Sequence, residues 1–463
     1  MTHRRADDAE EAVVLSGGGA NGAYEVGVLK ALVSGEVKLF NASDDLEPSN
    51  NDANPPIQRV IDPRVFTGTS IGAINAAYLA SQWDTYGPGA VGNLERMWLE
   101  TLAQQPGKRG NGAIRFRGNL LEYLTPSAWA PNPLPAAREI ADDFAYFGWE
   151  GVQRLVHLAT ERQEPLTQRL AQLFDFSLFV STQPLLKTIT DTIDFEKIRV
   201  SKRDLVVSST NWTSGETEHF ANHHMTRQGG PKRVLGSASI PGVFPPTKIG
   251  AEPFVDGNVL ENTPLEPAIK LGATTYYVIY LDPDIKAIPF SHIRNTVATL
   301  YRMQTIGWAG RIKDNIEDVE DTNKKLDGYY KNKAAEEVGK KARGKTQAKA
   351  DEECQEFEEK NQKVAGLSRG IESYAPLTIH RFAPTDAIEG GALGLLNVAR
   401  DRLQDLVRRG FTDAAAHDCA TSGCVLPTQT AIDAWKDRLT EKLQEKRDED
   451  DVLRMMRRQR AIQ

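Results

Sequence analysis

Gly68-Thr69-Ser70-Ile71-Gly72 sets a serine between glycines, directly after an apolar run and directly before a helix-like stretch. Glycines on both sides permit a turn too tight for flanking side chains. Ser70 would then stand out above a strand end, at the positive end of the next helix, as a nucleophile elbow requires. A second glycine cluster, Gly17-Gly18-Gly19-Ala20-Asn21-Gly22, also follows an apolar run and opens a helix-like stretch. Strand, glycine turn and helix together make an anion site, because the first N–H groups of a helix lack intrahelical acceptors. The anion is either a nucleotide phosphate or the oxyanion of an acyl-transfer intermediate.

A serine hydroxyl is a poor nucleophile until a base takes its proton. The chain has eight histidines: His3 in the N-terminal tail, His157 in a Pro-rich insertion, His219, His223 and His224 in a polar segment, and His292, His380 and His417. A hydrolase triad in the order serine, acid, histidine would use His380. The stronger candidate is Asp256, which ends a short apolar run and is followed by Gly257. A carboxylate there is placed like a catalytic group, although Asp-Gly is also a common turn. On spacing alone the two remain equal.

Residues 12–16, 64–68, 204–209 and 275–282 read as buried parallel strands, with a short strand at 253–256 and a late one at 377–382. Helical patterns fall at 22–32, 71–82 and 264–271. Strands alternating with helices predict an α/β sheet covered on both faces. Three stretches interrupt this pattern. Residues 41–56 are rich in Asn, Asp, Ser and Pro and read as a surface loop. Residues 101–174 read as an inserted cap, and residues 305–372 as charged helices, an antiparallel pair with a weak point at 366–370, forming a solvated spacer or, alternatively, a partner-binding arm.

Composition narrows the function. The 463-residue chain carries a net charge of −7, which argues against a dedicated nucleic-acid binder. No apolar run is long enough to span a membrane, and no secretory signal is visible, so a cytoplasmic protein is expected. Its three cysteines, Cys354, Cys419 and Cys424, make no disulfide framework. Cys419 and Cys424 with His417 suggest a redox pair or half a metal site. Without a second ligand pair they read as ordinary residues of a C-terminal loop, and no metal is expected.

Taken together, the segments resemble the patatin-like phospholipases. Gly17 to Gly22 matches that family's glycine-rich oxyanion loop, and Gly68 to Gly72 its nucleophile elbow. SASIPGVFPP at 237–246 matches a Pro-rich segment ahead of its catalytic aspartate. DGNVLENTPLEPAIKLGA, from Asp256, matches the aspartate segment, and residues 390–414 its closing helix. The resemblance implies a three-layer α/β/α fold with a mainly parallel sheet, its core at 10–100, 175–300 and 375–415, followed by a helical tail at 425–463. It implies a lipid ester substrate, no cofactor, and a Ser-Asp dyad of Ser70 as nucleophile and Asp256 as base. The oxyanion donors would be the N–H groups of Gly18 and Gly19, with Gly17, Asn21 and Gly22 in the same loop. Two departures touch head-group preference more than ester hydrolysis. Asn21 stands where the family commonly has arginine, so a charged donor is expected to be lost. Asp256-Gly257-Asn258 replaces the usual Asp-Gly-Gly or Asp-Gly-Ala.

Other functions remain open on the sequence. A transacylase would open the same acyl-enzyme with an alcohol. Gly17-x-Gly19-x-x-Gly22 also fits a dinucleotide fingerprint, which wants an acidic residue about twenty positions on, after a second strand. Asp44, Asp45 and Glu47 lie somewhat further along, and only residues 37–40 could be that strand. An inactive module on a hydrolase scaffold is a third option, against which the complete Ser70–Asp256 pair speaks. Transient membrane docking is expected mainly through cap aromatics, Phe144, Tyr146, Phe147 and Trp149, with the apolar segment 173–182. The tail at 431–463, ending in Arg457, Arg458 and Arg460, is the second candidate.

Overall fold

The first strand, β1 (Glu11–Leu15), is buried along its whole length. Val13 and Leu15 join one apolar core, while Ala12 and Val14 join another on the opposite face. A strand covered on both faces must be apolar at successive positions rather than alternating, which explains the continuous run in the sequence. A computed structural model describes residues 10–43, 58–105, 111–116, 180–282, 296–343, 374–388, 394–441 and 444. Most of the predicted cap, including its aromatic cluster, and the end of the tail lie outside these residues.

After β1 come α1 (Gly22–Ser34), β2 (Val65–Thr69), α2 (Ile71–Tyr86) and α3 (Gly89–Arg96). A two-stranded ribbon of β3 (Arg115–Phe116) and β4 (Val180–Ser181) precedes α4 (Gln183–Thr192) and α5 (Phe195–Val200). Then follow β5 (Asp204–Asn211), β6 (Thr217–Ala221), α6 (Gly230–Ser237), β7 (Thr247–Ile249), β8 (Glu252–Asp256), α7 (Leu265–Lys270) and β9 (Thr275–Ile279). The last elements are α8 (Thr296–Arg343), β10 (Thr378–Phe382) and α9 (Arg400–Ala415).

The sheet runs β10-β9-β1-β2-β5-β8-β7, with β6 also on β5. The five strands from β10 to β5 are mutually parallel, while β6, β8 and β7 add antiparallel pairs. α1, α2 and α9 pack on one face, and α7 with part of α8 on the other, giving three layers. The predicted strands form within a few residues of their expected ends. The sequence pattern missed β6 and β7, which lie at the antiparallel margin of the sheet where burial is partial. Residues 37–40 form no strand beyond a bridge position at Leu39, and the neighbours of β1 are β2 and β9. The dinucleotide fingerprint therefore lacks its second strand.

Two helices depart from expectation. α8 begins earlier than the predicted charged segment and runs unbroken to Arg343; a returning partner helix falls outside the described residues. It is also more than a solvated spacer. Ile316 and Val319 enter the second core, and the Asn323 amide both donates to Leu377 O (2.8 Å) and accepts from Leu377 N (3.0 Å). α9 crosses α1 backbone to backbone. A Cβ on Gly27 would fall 2.0 Å from Val407 O, and one on Gly410 2.1 Å from Tyr24 O. No helix among the described residues is long and apolar enough to cross a membrane.

Candidate active site

One edge of β5 places both candidate catalytic groups. β2 lies along the first part of one edge, where Thr69 pairs with Ser208. Antiparallel β8 occupies the continuation of that edge, where Asp256 pairs with Ser209. Two strands pointing in opposite directions thus end at consecutive register positions. The Ser70 hydroxyl donates to Asp256 Oδ2 at 2.6 Å.

The elbow at Ser70 has the geometry its glycines suggest. Ser70 has φ 57° and ψ −123°, the sole positive φ on a non-glycine residue among those described. Such a conformation costs on the order of 1–3 kcal/mol and persists only where the surroundings hold it. Added Cβ atoms would fall 2.2 Å from Gly72 O at Gly68, and 2.4 Å from Leu15 O at Gly72. Ser237 supplies a further restraint. Its Oγ accepts from Ser70 N (2.9 Å) and donates to Ser208 O (2.6 Å), tying the elbow to β5. The sequence motif contained Ser237 but gave it no role, because its two partners lie on other elements.

Asp256 is buried, with 1% exposure. Burial raises its carboxyl to about 7, against hydrogen bonds from Ser70 and from Asn258 N that stabilise the anion. Desolvation outweighs the two bonds, and among the described residues no cation faces the carboxylate. Its pKa therefore lies where a base near neutral pH should lie.

Facing Ser70, the glycine loop spends its N–H groups unevenly. Gly17 N donates to Asn262 Oδ1 (3.1 Å) and O (3.2 Å), and Ala20 N donates to Leu395 O (2.7 Å). Among the described residues, nothing accepts from the N–H groups of Gly18 or Gly19. Asn75, a polar residue in an alanine-rich helix, ties this loop to the nucleophile helix. Its amide donates to Gly22 O (3.2 Å) and to buried Glu25 (2.8 Å), and it accepts from Trp98 Nε1 (2.8 Å). Burial raises the Glu25 carboxyl well above its usual range, against the hydrogen bond from Asn75 that lowers it. A buried polar pair inside apolar helices was the sequence signal available for this network.

The Asn21 departure resolves differently from the sequence expectation. Arg402 of α9 donates to Asn21 Oδ1 at 2.8 Å. A cation is thus present beside the loop, brought by the distant helix rather than by position 21. At the second departure, Asn258 lies close against Gly17, within 2 Å of where a Cβ there would stand. Beside Ser70 opens a cavity lined by Gly19 and Ala20 and by apolar side chains, among them Ile74, Trp98, Leu185, Ile240 and Phe244.

The histidines are placed elsewhere. His219 bonds Ser208 Oγ (3.0 Å) and faces Glu261 at 3.7 Å. His380 on β10 lies three strands from β2 and aligns through Tyr277 and Val13 with Phe66, four residues before Ser70. Among the described residues, no histidine hydrogen-bonds to Ser70 or Asp256. The expectation of His380 as a triad base therefore has no geometric basis.

The family profile described as patatin-like phospholipase matches residues 13–269, more than half of the chain. The crystal structure of VipD from Legionella pneumophila is similar at a TM-score of 0.31 and 14% identity, over 88% of this chain and 66% of that one. At that level the likeness carries no argument. No curated protein matches the chain significantly.

Proposed function

Because the chain belongs to the patatin-like phospholipase family, we propose that it is a serine lipid acyl hydrolase working through a Ser70–Asp256 dyad. One observation carries this assignment. The hydroxyl of a strained, elbow-held serine, which lines an apolar cavity, donates at 2.6 Å to a buried carboxylate of raised pKa. The cavity would take the acyl chain.

In this mechanism Asp256 Oδ2 takes the Ser70 proton as Oγ attacks the ester carbonyl. Negative charge develops on the carbonyl oxygen and is met by the N–H groups of Gly18 and Gly19. One such preorganised donor is worth about 3–4 kcal/mol of barrier. The proton returns to the departing alcohol, leaving acyl-Ser70. Water, deprotonated by Asp256, then attacks the acyl-enzyme, and as the ester bond breaks that proton passes to Ser70 Oγ, releasing the fatty acid and restoring the dyad. An alcohol in place of that water would make the enzyme a transacylase.

The test is a fluorophosphonate probe followed by peptide mass spectrometry, with fatty-acid release measured from neutral and phosphorylated lipids. Adduct on Ser70, and loss of turnover in folded Ser70→Ala and Asp256→Asn, are expected. Adduct on another serine, or Asp256→Asn retaining most activity, would overturn the dyad.

A further inference from the structure

We infer that His380, His417, Cys419 and Cys424 form a closed, four-coordinate zinc site that fastens the last strand of the sheet to the end of α9. The ligand atoms of these four residues all lie within 4.8 Å of one another, and three of the residues are buried. Cys419 Sγ stands 3.7 Å from His380 Nδ1 and 3.5 Å from His417 Nε2, and Cys424 Sγ stands 3.4 Å from His417 Nε2. Zinc binds thiolate at about 2.3 Å and imidazole at about 2.0–2.1 Å in tetrahedral geometry, which places sulfur and nitrogen about 3.6 Å apart. The three observed separations bracket that value.

Hydrogen bonding alone accounts poorly for this arrangement. An imidazole nitrogen offers one proton or one lone pair in the ring plane. His417 Nε2 nevertheless faces both sulfurs, and Cys419 Sγ faces both rings. Ligands converging on a common centre have this form; a chain of hydrogen bonds does not. Two thiolates would balance a divalent cation, so occupation adds no net charge to a buried place. The thiol protons leave to solvent as the metal enters.

The surroundings fit the same role. Arg381 N donates to Cys424 Sγ at 3.4 Å, a bond that supports a thiolate. Tyr277 stacks on the His380 ring (centroids 5.6 Å apart), and Phe382 lies against His417 (4.5 Å). With four protein ligands the site has no open position, so its role is structural rather than catalytic. It would act where the sheet ends. β10 pairs with β9 on one side, and on its free side it meets a bridge in which Ile379 and Val425 exchange hydrogen bonds (2.8 and 2.9 Å). His417 follows α9 by two residues, and His380 lies 39 residues before Cys419. That distance hid the fourth ligand from the sequence pattern, in which His417, Cys419 and Cys424 read as an ordinary loop.

The full-length chain, purified under reductant without chelator, should carry one zinc per chain by elemental analysis. Exchange with cobalt(II) should give the visible bands of a tetrahedral thiolate site. Cys419→Ser and His380→Ala should each lose the metal and the bands. If a variant fails to fold, stripping zinc from the wild type should lower its melting temperature and open Cys419 and Cys424 to a thiol reagent. Folded protein that carries no zinc and binds no added zinc or cobalt would overturn the site. So would an intact mass showing a Cys419–Cys424 disulfide, or cobalt bands unchanged in both variants.

Discussion

Asp256 accepts the Ser70 hydroxyl across 186 residues of sequence because β2, which ends just before Ser70, and β8, which ends at Asp256, lie on the same edge of β5. Thr69 pairs with Ser208 and Asp256 with Ser209, so β2 and β8 meet head to head. Sheet register, rather than a loop, sets the distance between the Ser70 hydroxyl and the Asp256 carboxylate. Groups held by rigid elements need little reorganisation during reaction.

The first prediction concerns pH. Asp256 can take the serine proton only when ionised, and burial lifts its carboxyl to about 7. The kcat/KM is expected to rise with pH through about 7 and then level off. A profile flat from about pH 5 to 8 would remove Asp256 as the titrating base.

The same shift has a consequence for stability, with the opposite slope. A folded-state pKa raised from 3.8 to about 7 means the native state binds more protons than the unfolded chain across that window. The contribution is fully present below 3.8 and is lost as pH rises through about 7. Asp256→Asn, which carries no charge to desolvate, should therefore melt above the wild type at about pH 8, with the gap closing toward pH 5. An Asn variant less stable at every pH would contradict this.

Ser237 is expected to act on rate through position. Ser237→Ala strands the Ser70 N–H and the Ser208 carbonyl, both buried, at about 1–3 kcal/mol for each unpaired group. With the elbow less restrained, kcat should fall while KM changes little. A variant destabilised but unchanged in kcat would limit Ser237 to a folding role.

Arg402 offers a test of head-group preference. Its guanidinium is half-buried beside the glycine loop, 2.8 Å from Asn21 Oδ1. Arg402→Gln is expected to lower activity on anionic phospholipid relative to a neutral ester. Asn21→Arg would set a second cation against the first, so it should weaken the protein rather than improve phospholipid turnover. An unchanged substrate ratio in Arg402→Gln would remove this role.

The sequence by itself marked the residues of the candidate site. The glycines around Ser70, the Gly17–Gly22 loop and Asp256 at a strand end are local signals, because tight turns and strand ends restrict residue type within a few positions. The buried parallel strands were legible for a similar reason: two covered faces leave no polar alternation. The margins of the sheet were less so. β6 and β7, half-covered and short, carry no such run, and α8 looks solvated because its apolar contacts are spread thinly along a charged helix. Only the tertiary structure decided which distant groups meet. It set Asp256 against Ser70 through the register of β5, brought Arg402 to Asn21 by the α1–α9 crossing, and placed His380 beside two cysteines and His417. These depend on contacts separated by tens to hundreds of residues, for which packing, not local propensity, supplies the energy.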